Sequence, residues 1–220
     1  MNKSFLVTCV ISMLTLCAAP SFAATADDGG VNLKAGTLGA GVELSKSLSD
    51  KFSASLGFNS YHYKTTDSAS GIDYDYKLEL QSASLLANYH PFSGVFRFTG
   101  GVLYNNNELK LTGKPSAGST YTINGVTYTA AQVGTLTGAL TFNKTAPYLG
   151  LGWGNRPGSK LGLSADIGAL YQGSPKLSLS ATGSVAGLTS DLEQERKSAE
   201  EDLGSFKWYP VLSLGVYFRF

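Results

Sequence analysis

Sulfur is nearly absent from this chain. Its two cysteines, Cys9 and Cys17, and its two methionines, Met1 and Met13, all lie within the first stretch up to Cys17. Everything after that point has no thiol, which excludes a disulfide framework, a cysteine nucleophile and cysteine metal ligands. Histidine is scarce too, with only His62 and His90, and no cluster of metal-ligating spacing is present, so neither a metal nor another cofactor is expected. Charge of one sign is missing: 17 Lys and Arg face 16 Asp and Glu. Without a basic surplus there is no electrostatic case for nucleic acid. Long apolar runs are also lacking. A spanning helix needs about 20 apolar residues, so a membrane location has to come from strands.

The N-terminal stretch explains where the sulfur went. Lys3 is a short positive region, Phe5 to Leu16 an apolar core, and Ser21-Phe22-Ala23 a small-residue cleavage site. Together they read as a secretory signal peptide over 1–23, cut after Ala23. Leu16 before Cys17 argues against a lipoprotein, whose lipobox has a small residue there. Loss of Lys3 brings the charges level, and 24–220 has a length that suits one domain.

What is abundant is glycine and aromatics: 26 Gly, 12 Tyr and 11 Phe. The final segment, Phe206–Phe220, places Phe206, Trp208, Pro210, Leu212, Leu214, Val216, Phe218 and Phe220 on one parity, and Lys207, Tyr209, Val211, Ser213, Gly215, Tyr217 and Arg219 on the other. Strand side chains alternate between faces, so this strand has an apolar wall and a mostly polar one. Leu212, Leu214, Val216, Phe218 and the terminal Phe220 resemble the assembly signal of bacterial outer-membrane barrels. An edge strand of a soluble sandwich is the plainer alternative.

Similar alternation recurs along the chain, separated by turn chemistry. It runs from about Leu33 to Leu44, over Phe52–Tyr63, Tyr76–Tyr89, Phe96–Asn105, Pro147–Gly154 and Leu161–Gln172. In Tyr76–Tyr89, Leu78 and Leu80 share one parity and Leu85, Ala87 and Tyr89 the other, which suggests a bulge near Ser82–Ser84. Tight turns at Ser45–Asp50, His90–Gly94 and Asn155–Ser159 alternate with longer connections at Thr65–Asp75, 111–143 and Gly173–Ser205. That rhythm fits an all-β, antiparallel up-and-down transmembrane β-barrel of about eight strands, with tight periplasmic turns and long extracellular loops. Only seven segments are clear. The eighth strand is expected from Ala24–Asn32 or from a split of the N-terminal region.

Two loop features stand out. Tyr121–Tyr128 carries Asn124-Gly125, the pair favoured in a two-residue type I′ turn, which sets Ile123 opposite Val126 and Tyr121 opposite Tyr128. Ser190-Asp191-Leu192-Glu193 is a capping-box pattern opening a short loop helix to Leu203, with Gly204 as its stop. Asp191, Glu193, Glu195, Glu200, Glu201 and Asp202 outnumber Arg196 and Lys197 there. The segment is either a funnel for cationic solutes or divalent ions, or a solvated helix face.

Inward parity nominates Glu43, Lys77, Glu79, Arg97, Asp166 and Arg219 as lumen residues. An eight-strand lumen is just wide enough for side chains to fill, so such charges must pair or stay hydrated. A salt-bridged plug and a narrow charge-selective path are both open. Catalysis has little support, since Ser60, His62 and Asp67 lie on one strand and loop, whereas triad members converge from separate elements.

Several short motifs then carry a resemblance. Ala146–Gly152 (APYLGLG), Ile167–Leu179 (IGALYQGSPKLSL), Lys207–Val211 (KWYPV) and Leu214-Gly215-Val216, together with the Asn-Gly hairpin, are similar to the CarO-type small outer-membrane porins. The resemblance covers about two thirds of the mature chain and is weakest at its N-terminal end; the terminal residue is Phe where a family member has Trp. It implies a barrel of about eight strands in the outer membrane of a Gram-negative bacterium and a role in passive uptake of ornithine-like amino acids. The alternative is a non-conducting structural or surface-interaction barrel. The implied partners are outer-membrane lipid, lipopolysaccharide, the barrel-assembly machinery and small amino acids.

Overall fold

The computed structural model describes residues 29–69, 71–116, 118–154 and 160–220. The expected signal peptide, residues 1–23, and the Asn155–Ser159 turn lie outside the described residues. In chain order the strands begin with β1 (Gly29–Gly36), β2 (Gly39–Ser47), β3 (Phe52–Ala69), β4 (Ile72–Tyr89), β5 (Phe96–Asn105) and β6 (Glu108–Pro115). Next come β7 (Thr120–Ile123), β8 (Val126–Thr129), the single-turn helix α1 (Ala130–Val133), β9 (Leu136–Thr141), β10 (Thr145–Gly154) and β11 (Leu161–Tyr171). The chain ends with β12 (Lys176–Ala181), α2 (Leu188–Asp202) and β13 (Trp208–Arg219).

Eight of these strands close a ring. The pairing runs β1–β2–β3–β4–β5–β10–β11–β13 and back to β1, antiparallel at every step. A closed sheet leaves no unpaired edge within the ring, which is the condition for burying strands in lipid. The strand that the sequence hid is a split: the Leu33–Leu44 segment turns back at Thr37-Leu38, with Gly36 opposite Gly39. Neither middle residue has the left-handed φ of a primed turn, and Gly39 at φ 99° supplies it one position later. Thr-Leu carries no turn signal, so periodicity ran straight through it.

The bulge near Ser82–Ser84 is not there. Pairing of β3 with β4 is unbroken from Phe52–Tyr89 to Ala69–Ile72. The parity shift has another cause. Along the ring portion of β4, Ala83, Leu85, Ala87 and Tyr89 face outward and Ser82, Ser84, Leu86 and Asn88 are buried inside. Beyond the ring the surroundings invert, water outside and packed protein inside, so the apolar residues change faces without any change in register.

The segments 111–143 and Gly173–Ser205 are folded, in contrast to the polar connections expected. The upper half of β4, Ile72–Glu79, leaves β5 and pairs with β6, which continues to β9 and β12. This crown has its own core of Ile72, Tyr121, Ile123, Tyr128, Val133, Leu188 and Leu192. The β7–β8 hairpin has the expected register, Ile123 on Val126 and Tyr121 on Tyr128, with Asn124 at φ 51° and Gly125 at φ 76° as a type I′ turn requires. Helix α2 starts three residues earlier than its capping-box pattern predicts, after Gly187 at φ 88°. That extra length puts Leu188, 1% exposed, into the crown core.

Candidate functional site

Ring strands sort their side chains by period. An outward belt includes Leu44, Leu56, Phe58, Val102, Leu149, Leu163, Ile167, Leu212, Leu214, Val216, Phe218 and Phe220, all exposed. Aromatic pairs mark both ends of it. Phe52–Tyr89, Phe96–Phe98 and Phe96–Trp153 lie at the short-turn end, and Tyr171–Trp208 at the loop end, with ring centroids 4.9 to 5.5 Å apart. Inside, small polar residues dominate: Asn32, Ser45, Ser53, Ser55, Asn59, Ser82, Ser84, Asn88, Thr99 and Ser164 are buried.

Two ion pairs cross this interior. Arg97 Nη2 donates to Asp166 Oδ1, while Arg97 Nη1 reaches the Gly154 carbonyl at 3.1 Å and Ser213 Oγ donates to Asp166 Oδ2 at 3.3 Å. Glu43 accepts from Lys34 Nζ. Lys34 escaped sequence reasoning because its strand had not been separated from β2; once β1 ends at Gly36, Asn32 and Lys34 share the inward parity. Around the pairs, Asn88 donates to Ser55 Oγ at 2.9 Å and accepts from Thr99 Oγ1 at 2.8 Å. Nearer the loop end, Leu86, Leu103, Ala146, Tyr148, Leu170 and Val211 form an apolar collar, with Leu38 and Tyr209 packed against it. A cavity of about 30 Å³ remains, lined by Lys34, Glu43, Asp166, Ser84, Tyr148 and Leu38 among others. That is room for water, not for a solute.

A closed eight-strand ring, a filled polar lumen and a folded loop crown invite comparison with solved barrels. The chain is similar to Acinetobacter baumannii CarO2, with 26% identity, a TM-score of 0.59, and cover of 87% of this chain and 98% of that one. The chain shares the barrel fold of that structure. Acinetobacter baumannii CarO gives a TM-score of 0.57 at 24% identity, covering 87% of this chain and 97% of that one. No protein-family model and no curated protein matches the chain.

Within this barrel the nominated lumen residues divide. Glu43, Arg97 and Asp166 point into the ring as described. Arg219 stands at the short-turn end of β13, its backbone N–H donating to the Lys160 carbonyl at 2.8 Å. Lys77 and Glu79 do not face the lumen. They lie on the upper half of β4, on its outward face, where Lys77 bonds Glu79 at 2.7 Å and Lys110 bonds Glu108 at 2.9 Å. The presumed bulge had assigned them the wrong side.

The six acids of α2 are mostly engaged. Asp191 accepts from the Tyr128 hydroxyl and from Asn124 Nδ2, and Glu195 accepts from the Asn124 backbone N–H at 2.9 Å. The Tyr128 hydroxyl, then the Asn124 amide, hold the Asp191 carboxyl below its ordinary value. Glu200 accepts from the Leu177 N–H at 2.8 Å on the edge strand β12, and from Arg196, which also bonds Glu193. The Leu177 N–H is the main cause of a lowered Glu200 carboxyl. Glu201 and Asp202 are exposed.

His62 lies along β3 opposite Glu79 and His90 just past the base of the same hairpin, so the two form no site together. His90 is buried in the β4–β5 turn with Nδ1 3.2 Å from the Gly94 carbonyl.

Proposed function

We propose that this protein is an outer-membrane barrel of a Gram-negative bacterium that provides a narrow, normally shut path for small solutes such as ornithine-like amino acids. The observation that carries the reading is the lumen: a polar interior with one cation, Lys34, and two anions, Glu43 and Asp166, lining a water-sized cavity, beneath a collar of side chains rather than a wall-to-wall apolar core. Lys34 complements a carboxylate, and Glu43 and Asp166 complement an ammonium, which is the charge pattern of an amino acid. The belt contacts lipid, the short turns face the periplasm, and the crown stands among lipopolysaccharide headgroups after delivery by the barrel-assembly machinery. We assign it no enzymatic role.

A second reading is favoured by the cavity size: a non-conducting barrel whose work is to hold the crown outside the cell. Reconstitution decides between them. Vesicles bearing the folded protein should take up glycine and ornithine faster than empty vesicles, and equal rates would leave only the crown-presenting reading.

A further inference from the structure

We propose that the tip of the β1–β2 hairpin is a lid on the lumen cavity, with Leu38 as the plug and Thr37 as the latch. Among the described residues, the other connections at the loop end belong to the crown or lead into it; this one is two residues long. Residues at such tips are ordinarily polar, because they stand in water. Leu38 instead turns inward, packs on the collar and lines the same cavity as Lys34, Glu43 and Asp166.

Thr37 ties the tip to β13 by four hydrogen bonds. Its N–H donates to the Leu212 carbonyl at 2.9 Å and its hydroxyl to the Pro210 carbonyl at 3.0 Å. The same hydroxyl accepts from the Leu212 N–H at 3.1 Å, and the Thr37 carbonyl accepts from the Tyr209 hydroxyl at 2.6 Å. Gly39 makes the tuck possible: its φ is 99°, and a Cβ there would lie 2.6 Å from the Ser60 carbonyl oxygen. Two of the four bonds use the Thr37 side chain, so one substitution can loosen the latch while the backbone contacts hold the turn. The lid rests on the outward placement of the loop end proposed above, and not on whether solute flows.

The absence of cysteine after Cys17 makes the test clean. Ser84 lines the cavity, and Ser84→Cys is close to isosteric. Intact cells bearing this variant are treated with a small, cationic, membrane-impermeant methanethiosulfonate, with exposed Ser68→Cys as the surface reference. Ser84→Cys alone should react many-fold more slowly than the reference. Adding Leu38→Gly or Thr37→Val should raise its rate several-fold with the barrel still heat-modifiable on gels, and Thr37→Ser should restore the slow rate. Unchanged labelling in both lid variants, or parent labelling as fast as the reference, would overturn the proposal. Vesicle flux is read separately, so its failure would count against the transport reading and leave the lid standing.

Discussion

Arg97 and Asp166 show how a lumen this narrow keeps charges at all. Their side chains are 3% and 11% exposed, and an isolated ion there would be costly, so each is held by the other and by a neutral partner. Asp166→Asn strands the guanidinium. We expect a loss of about 3–5 kcal/mol, the usual range for breaking a buried pair, read as a lower temperature for conversion of the folded gel band. Replacing both partners, Arg97→Met with Asp166→Leu, should recover much of it. Which residues face inward was legible wherever the register was: Arg97 and Asp166 sit on strands with unbroken alternation between clear turns. Lys77 and Glu79 were misplaced because the rule that apolar means outward was carried past the belt boundary, where it reverses, and a bulge was inserted to reconcile the two parities. Lys34 was hidden by a turn whose two residues, Thr37 and Leu38, have no turn chemistry.

At the scale of elements, β13 and the crown behave oppositely. Every outward residue of β13 from Trp208 to Phe218 is exposed on the belt, and its neighbours β1 and β11 pair along its length. Phe218→Asp with Phe220→Asp puts two charges on the lipid face. We expect the double variant to be depleted from the outer-membrane fraction, and normal abundance there would contradict the role given to this strand. The crown sheet was illegible, because β6, β9 and β12 pair across long sequence separations and carry few local patterns. Asn124-Gly125 marked its hairpin and Ser190–Glu193 its helix. The crown is also the pH-sensitive part. Asp191 and Glu200 are held below their ordinary 3.8 and 4.5, so the unfolded chain takes up these protons first as pH falls. Their contribution is present above about pH 4.5 and is lost as pH drops through the lower folded values. Hydrogen exchange at the Tyr121 and Tyr128 amides, which face each other across the hairpin ladder, should therefore quicken below about pH 4 while ring amides stay protected. Leu188→Ala, which empties the centre of the crown core, should cost the crown about 2–5 kcal/mol by the same readout and leave the ring intact.

The whole molecule joins two folding units on one hairpin. The ring portions of β3 and β4 carry the apolar belt and the lumen, and their upper halves found the crown sheet, so the 18-residue strands act as a shared wall. The likeness to CarO2 over 87% of the chain concerns this architecture. Transport, lid and lipid contacts all depend on one prior claim, that the ring is a barrel embedded in the outer membrane. Fractionated cells followed by gels with and without boiling test it most directly. A closed barrel has no free edge for detergent to open, so an outer-membrane band whose mobility shifts on boiling is expected. Recovery of the protein as a soluble periplasmic species with one mobility, boiled or not, would contradict it.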